Sequence, residues 1–147
     1  MIELASALRV EVDRAAGYFR SLGETDVTRS RGAGKWIKKE ILGHLIDSAA
    51  NNHQRFVRAQ FADPFVWPGY DQRAWVPLHR YRERPWGELV DLWVAMNRQV
   101  AAVIEAMPAG KLQTSCLIGA HQPAPLEWWM RDYLRHLKHH LDQLEGA

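Results

Sequence analysis

Trp129-Met-Arg-Asp-Tyr-Leu-Arg-His-Leu-Lys-His-His-Leu-Asp-Gln-Leu144, near the C-terminus, decides how the rest of the chain is read. Wound as an α-helix it turns about 100° per residue. Leu134, Leu137, Leu141 and Leu144 then gather on one side, and Met130 and Leu126 extend the stripe upstream. His136 and His140 lie about 40° apart in projection at the edge of that stripe, beside Trp129 and Tyr133. His139 projects about 60° to the other side of His136, away from the leucines. Two imidazoles one turn apart are a recurrent way to present two nitrogens to one divalent metal, and they also occur on ordinary solvated faces.

Three further segments carry the same 3.6-residue periodicity. Residues 2–22 place Leu4, Leu8, Val12, Ala15, Phe19 and Leu22 at steps of three and four, with Gly23 as the stop. A second helix is expected from Trp36 to about Ala62, with Ile37, Ile41, Leu45, Ser48, Asn52 and Arg55 on its inward track. A third follows Pro85, through Leu89, Val90, Trp93, Asn97, Val100 and Ile104 to Met107, where Pro108 ends it. The connections at residues 24–35 and 108–125 are rich in Gly, Pro and polar residues, and a short extended piece fits around Leu112–Ile118. Between Asp63 and Arg84 three prolines and a glycine forbid a long helix. The aromatic residues of that stretch suit either a lid over one bundle end or a wall for a substrate. Residues 1–147 therefore read as a single all-α domain, a four-helix bundle with long connections rather than tight hairpins.

Bulk properties narrow the function. A chain of 147 residues can bury a genuine core without staples. Net charge is only +2 with histidines neutral, and the basic residues are scattered, so no nucleic-acid footprint is visible. No apolar run is long enough to span a bilayer and no leader segment is expected, so no membrane partner is expected. The single cysteine, Cys116, fits a reducing compartment, and the expected location is the cytoplasm. Seven tryptophans are too many for the core alone, so some are expected at a pocket, groove or interface.

A catalytic metal site wants three protein ligands and an open position. His44 is the one other histidine within an inward stripe, projecting within about 60° of both Ile37 and Ile41; a hydrogen-bonded core residue would look the same. His53 projects about 180° from it, and His79 and His121 fall in connections where exposure is expected. A di-iron centre needs Glu-x-x-His, and no histidine here has a glutamate three residues before it.

At this point a family resemblance emerges. It is carried by Trp36 with Lys38-Lys39-Glu40-Ile-Leu-Gly-His44-Leu-Ile-Asp47-Ser48, and by Pro68-Gly-Tyr70-Asp71-Gln72-x-x-Trp75. Leu89-x-x-Leu92-Trp93-x-x-x-Asn97 and Tyr133-x-x-His136-x-x-His139-His140-x-x-Gln143 complete it. In this order the motifs resemble the DinB/YfiT-like superfamily of metal-binding four-helix bundles. The resemblance implies one divalent metal, zinc or nickel, held by His44, His136 and His140. It also implies either a metal-dependent hydrolase or a low-molecular-weight-thiol S-transferase, in which case a small thiol would be a cofactor.

Several supporting residues follow as expectations. Asp47 and Asp71 could orient a ligand imidazole or act as general base, and each could equally be an ordinary helix-surface or turn aspartate. Ser48 and Asn51 project near His44 and could hydrogen-bond bound water. Trp75, Trp129 and Tyr133 are expected as pocket walls or core. Gln143 projects towards His139 and is given no role, and Cys116 is read as a packing residue. A small-molecule substrate and a homodimer are the expected partners. The rival reading is a non-catalytic metal- or ligand-binding bundle acting as a dimer in a stress response.

Overall fold

The computed structural model describes residues 1–146. Four long helices make the bundle: α1 (Ile2–Ser21), α3 (Lys38–Arg58), α5 (Trp86–Glu105) and α6 (Leu126–Glu145), with the short α2 (Glu24–Thr28) and α4 (Gln72–Leu78) in the connections. Both α1 and α3 pack on α5 and on α6. That places α1 and α3 on one diagonal of the bundle and α5 and α6 on the other. Two of the three connections therefore cross a diagonal, which explains why they could not be tight hairpins.

Local chemistry sets the boundaries. The α1 helix stops at Ser21, and the residues after it form α2, because Asp26 Oδ2 accepts from the Gly23 N–H at 3.0 Å and caps a new turn. The α3 helix begins at Lys38 rather than Trp36: the Glu40 carboxylate accepts from the Ile37 N–H at 3.0 Å, closing the first turn. At its far end α3 tightens into the 3-10 turn Ala59–Phe61. The α1–α5 seam is aromatic, with Phe19 edge-on to Trp86 and Trp93 at centroid separations of 5.7 and 5.4 Å. Trp86 Nε1 also donates at 2.7 Å to the Phe19 carbonyl, which accepts from the Leu22 N–H at 3.2 Å as well.

A small sheet departs from the all-helical expectation. Strand β1 (Phe65–Trp67) runs parallel to β2 (Ser115–Ile118), pairing Phe65 with Cys116 and Trp67 with Ile118. Strand β3 (Ala124–Pro125) closes an antiparallel ladder on β2. These strands are too short to show alternation in the sequence, although β2 lies within the stretch expected to be extended. The sheet ties the two longest connections together. Gly119 donates to the Trp67 carbonyl at 2.9 Å with φ of 58°, and a Cβ there would approach Gly69 to 3.2 Å. The loop carrying Tyr70 is thereby held against the bundle.

The α3 helix is buried along Lys38–Ala49 without a break. The reason is that α5 and α6 cover one side while α2, α4 and the 3-10 turn Tyr81–Glu83 cover the other. Lys39 reaches the carbonyls of Arg82 and Arg84 and the Glu24 carboxylate, and Arg82 grips Glu40 with two bonds of 2.7 and 3.0 Å. The proline-rich segment is therefore a structured cover over the N-terminal half of α3. None of the helices is long and apolar enough to cross a membrane, among the described residues.

Candidate metal centre and its cavity

Facing positions on α3 and α6 bring three imidazoles together. One nitrogen from each of His44, His136 and His140 lies within 4.8 Å of the others. The Nε2 atoms of His136 and His140 are 3.1 Å apart. Tetrahedral coordination with metal–nitrogen bonds of about 2.0–2.1 Å puts ligand nitrogens roughly 3.3 Å apart, so the His-x-x-x-His pair is already at ligand spacing. The ring of His44 stands 4.7 Å from that of His140 and 5.4 Å from that of His136, at steep angles to both.

The hydrogen bonding favours a cation at this point. His44 is almost wholly buried, and neither of its ring nitrogens has a hydrogen-bond partner. An unmet buried polar atom costs about 1–3 kcal/mol, a debt that a bound cation would relieve at the lone pair. Burial first, and then the neighbouring imidazoles His140 and His136, push the His44 pKa down to about 3. Burial and His140 push His136 down to about 4, and burial lowers His140 as well. All three rings are therefore neutral at pH 7, the state a metal ligand needs.

Gln143, given no role from its projection, turns out to touch the cluster. His140 Nδ1 donates to Gln143 Oε1 at 2.9 Å, which leaves the lone pair of His140 on Nε2, facing His136 and His44. The amide Nε2 of Gln143 donates in turn to His139 Nε2 at 3.1 Å, so His139 joins the cluster only at second hand. The helical projection missed this because a glutamine is long enough to fold back one turn.

Beside the cluster lies a cavity of about 280 Å³, lined by His44, Ser48 and Tyr133 among others. Of the residues expected there, Trp129 and Tyr133 form its wall on α6, the Tyr133 hydroxyl donating to Asn97 Oδ1 at 2.6 Å. Asn51 does not reach it. Its amide donates to the Asp47 carbonyl, and Asn52, one residue on, faces the cavity instead. Trp75 also lies off the wall, packed on Tyr70 and His79 at 4.8 and 5.8 Å. Tyr70, Gln72, His121 and Asp132 also line it; Tyr70 and Gln72 belong to a quoted motif but carried no role, and Asp132 was not singled out from the sequence. His121, expected to be solvent-facing, is exposed but stands edge-on to Trp129 at 5.4 Å.

Neither of the two expected acid–base candidates lines the cavity. Asp71 is exposed and caps α4, its Oδ1 accepting from the N–H groups of Arg73 and Ala74. Asp47 is buried and does orient an imidazole, but that of His79 at 2.8 Å, while the Tyr81 hydroxyl donates to the same oxygen at 2.7 Å. Asp132, one turn before His136, is the carboxylate that lines the cavity, and Arg135 pairs with it. Cys116 is buried, its thiol pKa pushed up to about 11, first by burial and then by Asp63, which suits the packing role expected of it.

The chain is similar over 98% of its length to YfiT from Bacillus subtilis, covering 83% of that chain at a TM-score of 0.84 and 17% identity. YfiT is described as a probable metal-dependent hydrolase with an unusual four-helix bundle topology. At that identity the likeness establishes the fold, and the diagonal connections found here fit an unusual topology. No curated protein matches the chain. The family model of the DinB superfamily matches residues 7–144, all but the two ends of the sequence, and the chain belongs to that superfamily.

Proposed function

We propose that His44, His136 and His140 hold one divalent metal ion, zinc or nickel, and that the protein is a metal-dependent hydrolase acting on a small molecule in the adjoining cavity. The observation that carries this is the pair of unmet nitrogens on buried His44, set against two imidazoles already at ligand spacing. When bound, such an ion supplies Lewis acidity, lowering the pKa of a water or thiol that it ligates. Three neutral ligands leave its charge uncompensated, which makes that effect strong. The chain's own residues do the rest. Gln143 fixes the tautomer of His140, Trp129 and Tyr133 exclude water from one wall, and Ser48 presents a hydroxyl to the cavity.

A second reading, transfer of a small thiol, is favoured by one feature. Asp47 and Asp71 lie off the cavity wall and Asp132 is paired with Arg135, so no carboxylate of the three stands free at the cavity as a general base. A ligated thiol ionises without one. The test begins with metal content. Protein purified after zinc or nickel loading should bind close to one equivalent, and His44→Ala and His140→Ala should each lose it. Equal metal content in parent and variants defeats the assignment. Activated esters and small thiols offered to the loaded protein then separate the two chemistries.

A further inference from the structure

Arg55 sits three turns along α3 from His44, on the same inward track, and only 8% of it is exposed. It has no carboxylate partner among the described residues. Its one contact is a 3.4 Å bond from Nη1 to the Asn52 side-chain oxygen, and its Nε is buried with no partner. An unpaired buried guanidinium costs several kcal/mol, and it stays charged because its intrinsic pKa lies so high. Arg55 also lines the cavity that His44 and His136 line. The sole carboxylate on that wall, Asp132, is taken by Arg135. Trp129, on the opposite helix, brings a second buried donor without a partner, its Nε1. One end of the cavity is thus rich in lone pairs suited to a cation, and the wall also carries unmet donors suited to an anion.

We infer that Arg55, with Asn52 and Trp129, binds a carboxylate of the substrate, so that the protein selects small carboxylate-bearing molecules whose reacting group faces the three histidines. The inference rests on the proposed metal site for the direction of the substrate, and on Arg55 alone for its charge. The guanidinium fork matches a carboxylate through two parallel bonds. A single guanidinium suits a monoanionic carboxylate better than a phosphate dianion, for which the lining offers no second Lys or Arg. The rise along α3 from residue 44 to residue 55 is about 16 Å, and side chains lean towards the helix N-terminus, so the anchor falls short of that distance. A chain of several carbons would bridge it.

The test uses metal-free protein first, so that it does not depend on the metal. The Arg55 Nε–H and Trp129 Nε1–H resonances are followed while hexanoate, hexanol or inorganic phosphate is added. Hexanoate should give saturable shifts at both, and hexanol should not. Arg55→Met should weaken hexanoate binding about tenfold or more, and Arg55→Lys, which keeps the charge without the fork, by less. Circular dichroism of both variants checks that the fold survives. Equal responses to hexanoate and hexanol overturn the inference, as does tighter binding of phosphate than of hexanoate. The zinc-loaded protein then takes 6-mercaptohexanoate against 6-mercaptohexanol. A carboxylate preference in protein that takes up no zinc on loading would refute the metal site and leave the anion site standing; zinc uptake with no carboxylate preference would do the reverse.

Discussion

Gln143 offers a sharp test because it is exposed and touches the cluster only through His140. Replacing it with alanine removes the acceptor that holds the proton on His140 Nδ1. The imidazole is then free to rotate and to place its proton on Nε2, the nitrogen that faces His136 at 3.1 Å. Partners of ligand histidines are worth 10–100-fold in metal affinity. Solvent can replace an exposed amide in part, so Gln143→Ala should weaken zinc binding by about tenfold, or about 1.4 kcal/mol. Gln143→Glu should tighten it, since a carboxylate acceptor makes the imidazole a stronger base. His139→Ala, which removes only the far partner of the amide, should change affinity by less than about threefold. Competition against a chromophoric chelator at pH 7.5 reads all three, and the melting temperature of the metal-free proteins confirms that the fold is unaltered. Zinc affinity in Gln143→Ala within twofold of the parent would refute the tautomer argument.

Two further outcomes follow from the buried centre and its cover. His44 and His136 have pKa values pushed down to about 3 and 4, so between pH 6.5 and 4 the unfolded chain takes up protons that the folded chain refuses. The stability is fully present above the unfolded value and is lost as pH falls, by at most roughly 2.7 kcal/mol per pH unit for the two groups. Urea unfolding of metal-free protein from pH 7 to 4.5 measures this, and His136→Asn should flatten the slope by about half; an unchanged slope contradicts the burial argument. At Gly43 a Cβ would fall 2.1 Å from Tyr81 Cδ2, and Tyr81 cannot swing aside freely because Asp47 holds its hydroxyl. Gly43→Ala should therefore destabilise by about 1–3 kcal/mol despite alanine's better helix propensity. Adding Gly43→Ala to Tyr81→Ala should cost nothing more, and a purely additive double variant would show that the clash is not the cause.

The four long helices were legible because each exposes a full apolar stripe, and in long segments periodicity outweighs local noise. The start of α3 shifted by two residues, to Lys38, where Glu40 caps the first turn, and its end by four, to Arg58, where the chain tightens into a 3-10 turn. Strand β2 was legible only as an extended stretch, and β1, β3 and α4 were not legible. The pairing of Phe65 with Cys116 joins residues about fifty apart in sequence, and no pattern within three or four residues announces such a partner. Pro77 inside α4 argued against a helix, yet it falls in a helix only seven residues long, which has little interior to break.

At the candidate centre, facing direction picked out His44, His136 and His140 as the inward imidazoles, since it depends only on the 100° step of regular helices, and the family resemblance made them a ligand set. Facing direction failed for groups whose partner is set by the fold of a connection. Asp47 was placed one turn from His44, but the 3-10 turn Tyr81–Glu83 and His79 claim it from outside the helix. The most informative signal lies in the polar residues of the α3 stripe. Ser48, Asn52 and Arg55 continue the stripe that begins with Ile37 and Ile41, so the inner face of α3 turns polar halfway along its length. A bundle cannot close-pack around such a stripe without burying unmet donors. The residues opposite, Trp129, Tyr133 and His136, therefore border a cavity instead of filling it. A guanidinium on that stripe, where leucine would pack and stabilise, is accounted for by the proposed entry of an anion, which would link the shape of the bundle to the chemistry of what it binds.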